Sequence, residues 1–107
     1  MHIVDRVSAM RLRDALQSWY QAHEAQLSQH YESVRFGSSP ADRSPPSAWI
    51  QLHSAERSGH LVAWDSGVVD VHVIEVAGED VLVKHWEEID AAHDLAPILV
   101  EFEGAFG

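Results

Sequence analysis

"HLVAWDSGVVDVHVIEV", residues 60–76, holds the decisive pattern of the chain. Leu61 and Ala63 alternate with His60, Val62 and Trp64. Past the turn, Val69, Val71 and Val73 alternate with Asp70 and His72. A period of two places alternate side chains on opposite faces of a strand. Between the two runs stands Asp65-Ser66-Gly67. Asp and Ser side chains bond local backbone N–H groups in a turn, and Gly accepts positive φ. The stretch predicts a β-hairpin.

The same period extends outward. "AWIQLH" (48–53) sets Ala48, Ile50 and Leu52 against Trp49, Gln51 and His53. "VLVKHW" (81–86) sets Val81, Val83 and His85 against Leu82, Lys84 and Trp86. "YESVRF" (31–36) is a further short strand candidate. The connections "SAERSG", "DSG" and "AGED" are short, as in an antiparallel meander. In the last two strands both parities carry apolar groups. Either both sides are covered, or a bulge near Val73-Ile74 switches faces. "GSSPADRSPPS" (37–47), with three prolines, reads as an irregular loop.

Helices flank the strands. Leu12, Leu16, Trp19, His23 and Leu27 share one face of a helix expected over residues 5–28, with Asp5 or Ser8 as cap. Leu95, Ile98, Leu99, Phe102 and Phe106 mark a closing helix. Asp94 is its expected cap, which puts Pro97 where a missing N–H costs little. The fold class is α+β: an antiparallel β-meander of four to five strands with an N-terminal and a C-terminal helix packed on it, residues 1–107 forming a single domain.

Charge narrows the partners. Residues 1–57 contain six acids and six arginines; residues 58–107 contain eleven acids and one base, Lys84. The net charge of −10 therefore falls on one half of the chain. Such a surface repels nucleic acid and anionic lipid, and steers basic proteins toward itself. No apolar run is long enough to span a bilayer. There is no signal-peptide pattern and no cysteine, so a cytoplasmic protein without disulfides is expected.

Catalytic patterns are missing. Ser66 lies in "AWDSGV", which lacks the glycine-flanked nucleophile elbow. Glu87 and Glu88 are adjacent, and on a strand adjacent residues point to opposite faces. No glycine-rich phosphate loop occurs. The chain is read as a non-enzyme without a cofactor. His60, Asp70, His72 and His85 form the alternative, a small-ligand or metal site assembled across strands. It depends on register and lacks helical or zinc-finger spacing. Of the tryptophans, Trp19, Trp64 and Trp86 are assigned to the core, and Trp49 is expected to be partly exposed.

Trp64, Ser66, Gly67 and Asp70 follow a "Trp-x-Ser-Gly-x-x-Asp" pattern. With Trp19 and "HWEEI" (85–89) in corresponding places, the chain resembles the TriTu-type bacterial immunity proteins from about residue 10 to 103. The insert at 37–47 departs from that pattern. The resemblance implies an antitoxin that binds a toxin passed between bacterial cells, the founding toxins being ADP-ribosyltransferases that act on a translation factor. A toxin that binds the pyrophosphate of NAD needs basic residues in its cleft, so a toxin domain with a basic cleft is the expected partner, and the chain itself is expected to be a monomer or weak homo-oligomer. The expected partner-binding residues are Trp64, Asp65, Asp70, His72, Glu75, Glu79, Asp80, Glu87 and Glu88.

Overall fold

The structure, a computed structural model, describes residues 11–40, 42, 44–90 and 94–107. Its elements run α1 (Leu12–His30), β1 (Ser33–Ser38), β2 (Ser47–His53), β3 (Arg57–Trp64), β4 (Val68–Glu75), β5 (Asp80–Trp86) and α2 (Leu95–Gly104). All five strands join one antiparallel sheet in the order β1-β2-β3-β4-β5. The fold is α+β, a meander backed by two helices.

The hairpin turn forms at the expected place. Gly67 N–H donates to the Trp64 carbonyl at 2.9 Å. Gly67 has φ +98°, a region that penalises any side chain. The expected period then sorts the sheet. Ala48, Ile50, Leu52, Leu61, Ala63, Val69, Val71 and Val73 are at most 2% exposed. They form one core with Leu12, Leu16 and Leu27 of α1 and Leu95, Ile98, Leu99 and Phe102 of α2. Burying a side chain of that size is worth about 1.5–3 kcal/mol. A β-bulge lies between Val73 and Ile74, where the β4–β5 register shifts. Of the two readings for these strands, the bulge is the one present.

Gly59 makes room for α2. A Cβ there would stand 2.9 Å from both Phe106 Cζ and Val73 Cγ2. Arg57 Nη1 donates to the Ala105 carbonyl at 2.6 Å, placing a cation at the carbonyl end of α2. Tyr31, just past α1, is 6% exposed and donates its hydroxyl to Glu103 Oε1 at 3.3 Å. Burial first, and then the Glu103 carboxylate, pushes this phenol well above its ordinary value.

Several boundaries differ from expectation. Arg11 is extended, with φ −71° and ψ 147°, so α1 begins at Leu12 and not near residue 5. The proposed caps Asp5 and Ser8 lie outside the described residues. A cap comes instead from the hairpin: Arg13 N–H donates to Asp65 Oδ1 at 2.9 Å. That bond fills an otherwise unmet donor and sets an acid against the positive end of the helix. Asp94 does occupy the N-cap position of α2, yet its side chain does not cap it; Oδ2 accepts from Asp90 N–H instead. The irregular loop is shorter than 37–47, because Ser39 and Ser47 stitch its neck. Ser47 N–H donates to Ser39 Oγ at 2.8 Å, and Ser39 N–H to the Ser47 carbonyl at 2.9 Å.

Candidate functional site: the open face of the sheet

Both helices pack on the same side, and among the described residues no helix covers the other. Register assembles this open face row by row. One row runs Trp49, Val62, Asp70, His85; the next runs Gln51, His60, His72, Val83. Trp64 stands opposite Val68 on the same face. Trp64 is thus not a core residue. It shares parity with His60 and Val62, and parity prevails over its apolar bulk. Trp86, of opposite parity, does pack on the core, as does Trp19. Trp49 is half-buried because its indole lies over Gly37, where a Cβ would come within 2.6 Å of the ring.

Three of the expected acids meet imidazoles here. His85 Nδ1 bonds Asp70 Oδ1 at 2.5 Å, and its Nε2 bonds Glu87 Oε2 at 3.0 Å. Glu87 follows the end of β5 at Trp86, and its carboxylate reaches back to the His85 ring. His72 Nε2 bonds Asp80 Oδ1 at 2.8 Å. These groups are mostly 40–70% exposed, so each pair contributes little to stability.

The remaining expected residues disperse. Glu75 and Glu79 flank the β4–β5 turn, where Glu75 N–H donates to the Glu79 carbonyl at 2.8 Å. Glu88 lies past the end of β5 with φ +56°, behind the hairpin turn. Asp65 faces α1; its Oδ2 is buried with no hydrogen-bond partner among the described residues.

The histidines differ by environment. Hydrogen bonds donated to the carboxylates of Asp70 and then Glu87 raise His85 above the ordinary imidazole value. Burial lowers His60, helped by the charge of His72 and opposed by Asp70. A raised value means that the folded form binds the proton more tightly. The His85 contribution to stability is therefore full below the ordinary value, near 6.5, and is lost as pH rises through the raised one. For His60 the sign reverses: protonation below about pH 6.5 works against the fold. In an NMR titration the His85 midpoint is expected above the ordinary value and that of His60 below it. Asp70→Asn should move both downward. A His85 midpoint at or below the ordinary value would show that its carboxylate pairs do not persist in solution.

The metal-site alternative finds no support in this arrangement. Both ring nitrogens of His85 are taken up by Asp70 and Glu87, while Asp80 bonds His72 in a different row. The His60 and His72 rings are edge to face with centroids 6.0 Å apart. Among the described residues no group of three or more such side chains is placed to hold a metal ion. None of the described helices is long and apolar enough to cross a membrane.

The fold and its acid-bearing open face thus define a small α+β domain with a broad polar surface. Within that class the chain belongs to the TriTu immunity protein family. The family model, described as "Immunity protein TriTu", matches residues 14–103. No curated protein and no solved structure gives a significant match. Family membership makes this an immunity protein, whose role is to bind and neutralise a cognate toxin.

Proposed function

We infer that this immunity protein neutralises an ADP-ribosyltransferase toxin by setting the acidic β4–β5 region into the toxin's NAD cleft. The carrying observation is the gathering of Asp70, Asp80 and Glu87 on the face of the sheet that no described helix covers. They belong to the half of the chain that holds the whole net charge of −10. A cleft that binds the pyrophosphate of NAD needs basic residues, and carboxylates on a rigid sheet present anions to them. Family membership supports the antitoxin role, and the TriTu resemblance supports the toxin class. The protein acts in the cytoplasm, where translation runs, and needs no cofactor or turnover of its own.

Salt separates this reading from a purely apolar one. Charges steer encounter, and salt screens them beyond about 8 Å at physiological strength. Association with the toxin domain is expected to slow several-fold between roughly 0.05 and 0.5 M salt, with dissociation changing less. Inhibition of NAD turnover should be relieved by excess NAD. Association indifferent to salt, or inhibition indifferent to NAD, would overturn occlusion by an acidic face.

A further inference from the structure

Where β5 runs out beside α2, a groove of about 340 Å³ opens at the surface. Trp86, Ile89, Pro97 and Ile98 make its apolar part. Glu87, Glu88, Asp94 and Glu101 stand around it. We propose that this groove seats an arginine side chain of the partner, the guanidinium lying on Trp86 and bonded by Glu88 and Glu101. The partner's identity as a toxin rests on the antitoxin reading; the preference of the groove for a guanidinium does not.

The chemistry of the lining selects the occupant. A guanidinium is planar, weakly hydrated and always charged. It stacks on aromatic rings while its N–H groups fork onto carboxylates. An apolar wall beside acids matches both halves of such a side chain, stem and head. An anion would be repelled here, and a purely apolar side chain would desolvate the acids without pairing them.

The chain itself supplies a cation at this place. Lys84, the only lysine in the sequence, holds its ammonium on Glu101. The same ammonium stands 5.8 Å from the centroid of the Trp86 ring. An incoming guanidinium would take over both contacts and release Lys84 to solvent. Glu88 carries a second sign. It sits at φ +56°, where glycine would be easier. It has no hydrogen-bond or ion-pair partner among the described residues. Backbone strain of this kind concentrates at functional sites.

The test uses a capped Gly-Arg-Gly tripeptide and its citrulline counterpart, which keeps the shape and loses the charge. NMR of the intact protein follows the Trp86 indole N–H. The arginine peptide is expected to shift that signal saturably, and the citrulline peptide to leave it in place. Glu88→Gly should weaken the arginine peptide several-fold while its thermal midpoint stays level or rises. Lost binding without lost stability excludes misfolding as the cause. An unmoved indole signal, equal shifts from both peptides, or wild-type affinity in Glu88→Gly would overturn the groove assignment. No toxin enters this experiment. Its failure therefore leaves the antitoxin reading standing, and failure of the salt and NAD tests leaves the groove result intact.

Discussion

Phe102→Ala is expected to lower stability by about 3–5 kcal/mol, the range for removing a buried aromatic ring. Phe102 is fully buried, and its ring lies beside Phe106 with centroids 5.7 Å apart. Beneath them Gly59 has no side chain, so nothing at that position can turn into the vacancy. A cavity that cannot collapse puts the cost toward the upper end. Domains of this size hold only about 5–15 kcal/mol in total. The loss should appear as a large fall in the urea midpoint. Val100→Ala is the control, because Val100 lies on the same helix and is 72% exposed; its effect should stay within about 0.5 kcal/mol. A Phe102→Ala midpoint close to that of Val100→Ala would mean that α2 is not docked on the sheet.

The sheet was legible in the sequence wherever strict alternation met a turn of defined chemistry. Leu61, Ala63, Val69, Val71 and Val73 separate from His60, Asp70 and His72 by parity alone, and Asp65-Ser66-Gly67 closes them into a hairpin. Trp64 has the bulk of a core residue, yet the alternation sets it beside His60 and Val62 on the open face. The start of α1 was hidden for another reason. Asp65 bonds Arg13 across 52 residues, and no local pattern announces a cap supplied from so far away. The groove was equally hidden, since Trp86, Asp94 and Glu101 come from segments that meet only once α2 has docked. Adjacency on one strand would set the neighbours Glu87 and Glu88 on opposite faces. In the structure β5 ends at Trp86, and the left-handed backbone of Glu88 turns the chain toward Gly67. Local periodicity reports faces; it does not report which distant segments a face will meet.

Asp70→Lys combined with Glu87→Lys is expected to abolish protection against the toxin while the protein stays folded. These carboxylates flank the two ring nitrogens of His85, and their side chains are 42% and 71% exposed. Exposed charges of this kind contribute little to the fold, so the thermal midpoint should move only slightly. At a basic cleft the same exchange sets like charge against like, which costs several kcal/mol and slows encounter as well. Asp14→Lys combined with Glu24→Lys is the matched control. Each acid-to-lysine exchange adds two positive charges, so either pair takes the chain from −10 to −6. Asp14 and Glu24 are exposed on α1, which packs on the other side of the sheet. If only the overall field mattered, both pairs would weaken binding alike. If the open face is the binding face, the α1 pair should retain full protection and only the Asp70–Glu87 pair should lose it. Protection of cells expressing the toxin domain, read beside association rates for both variants, decides between them. Loss confined to the α1 pair would move the binding face to the helical side, and the acids around His85 would then serve solubility alone.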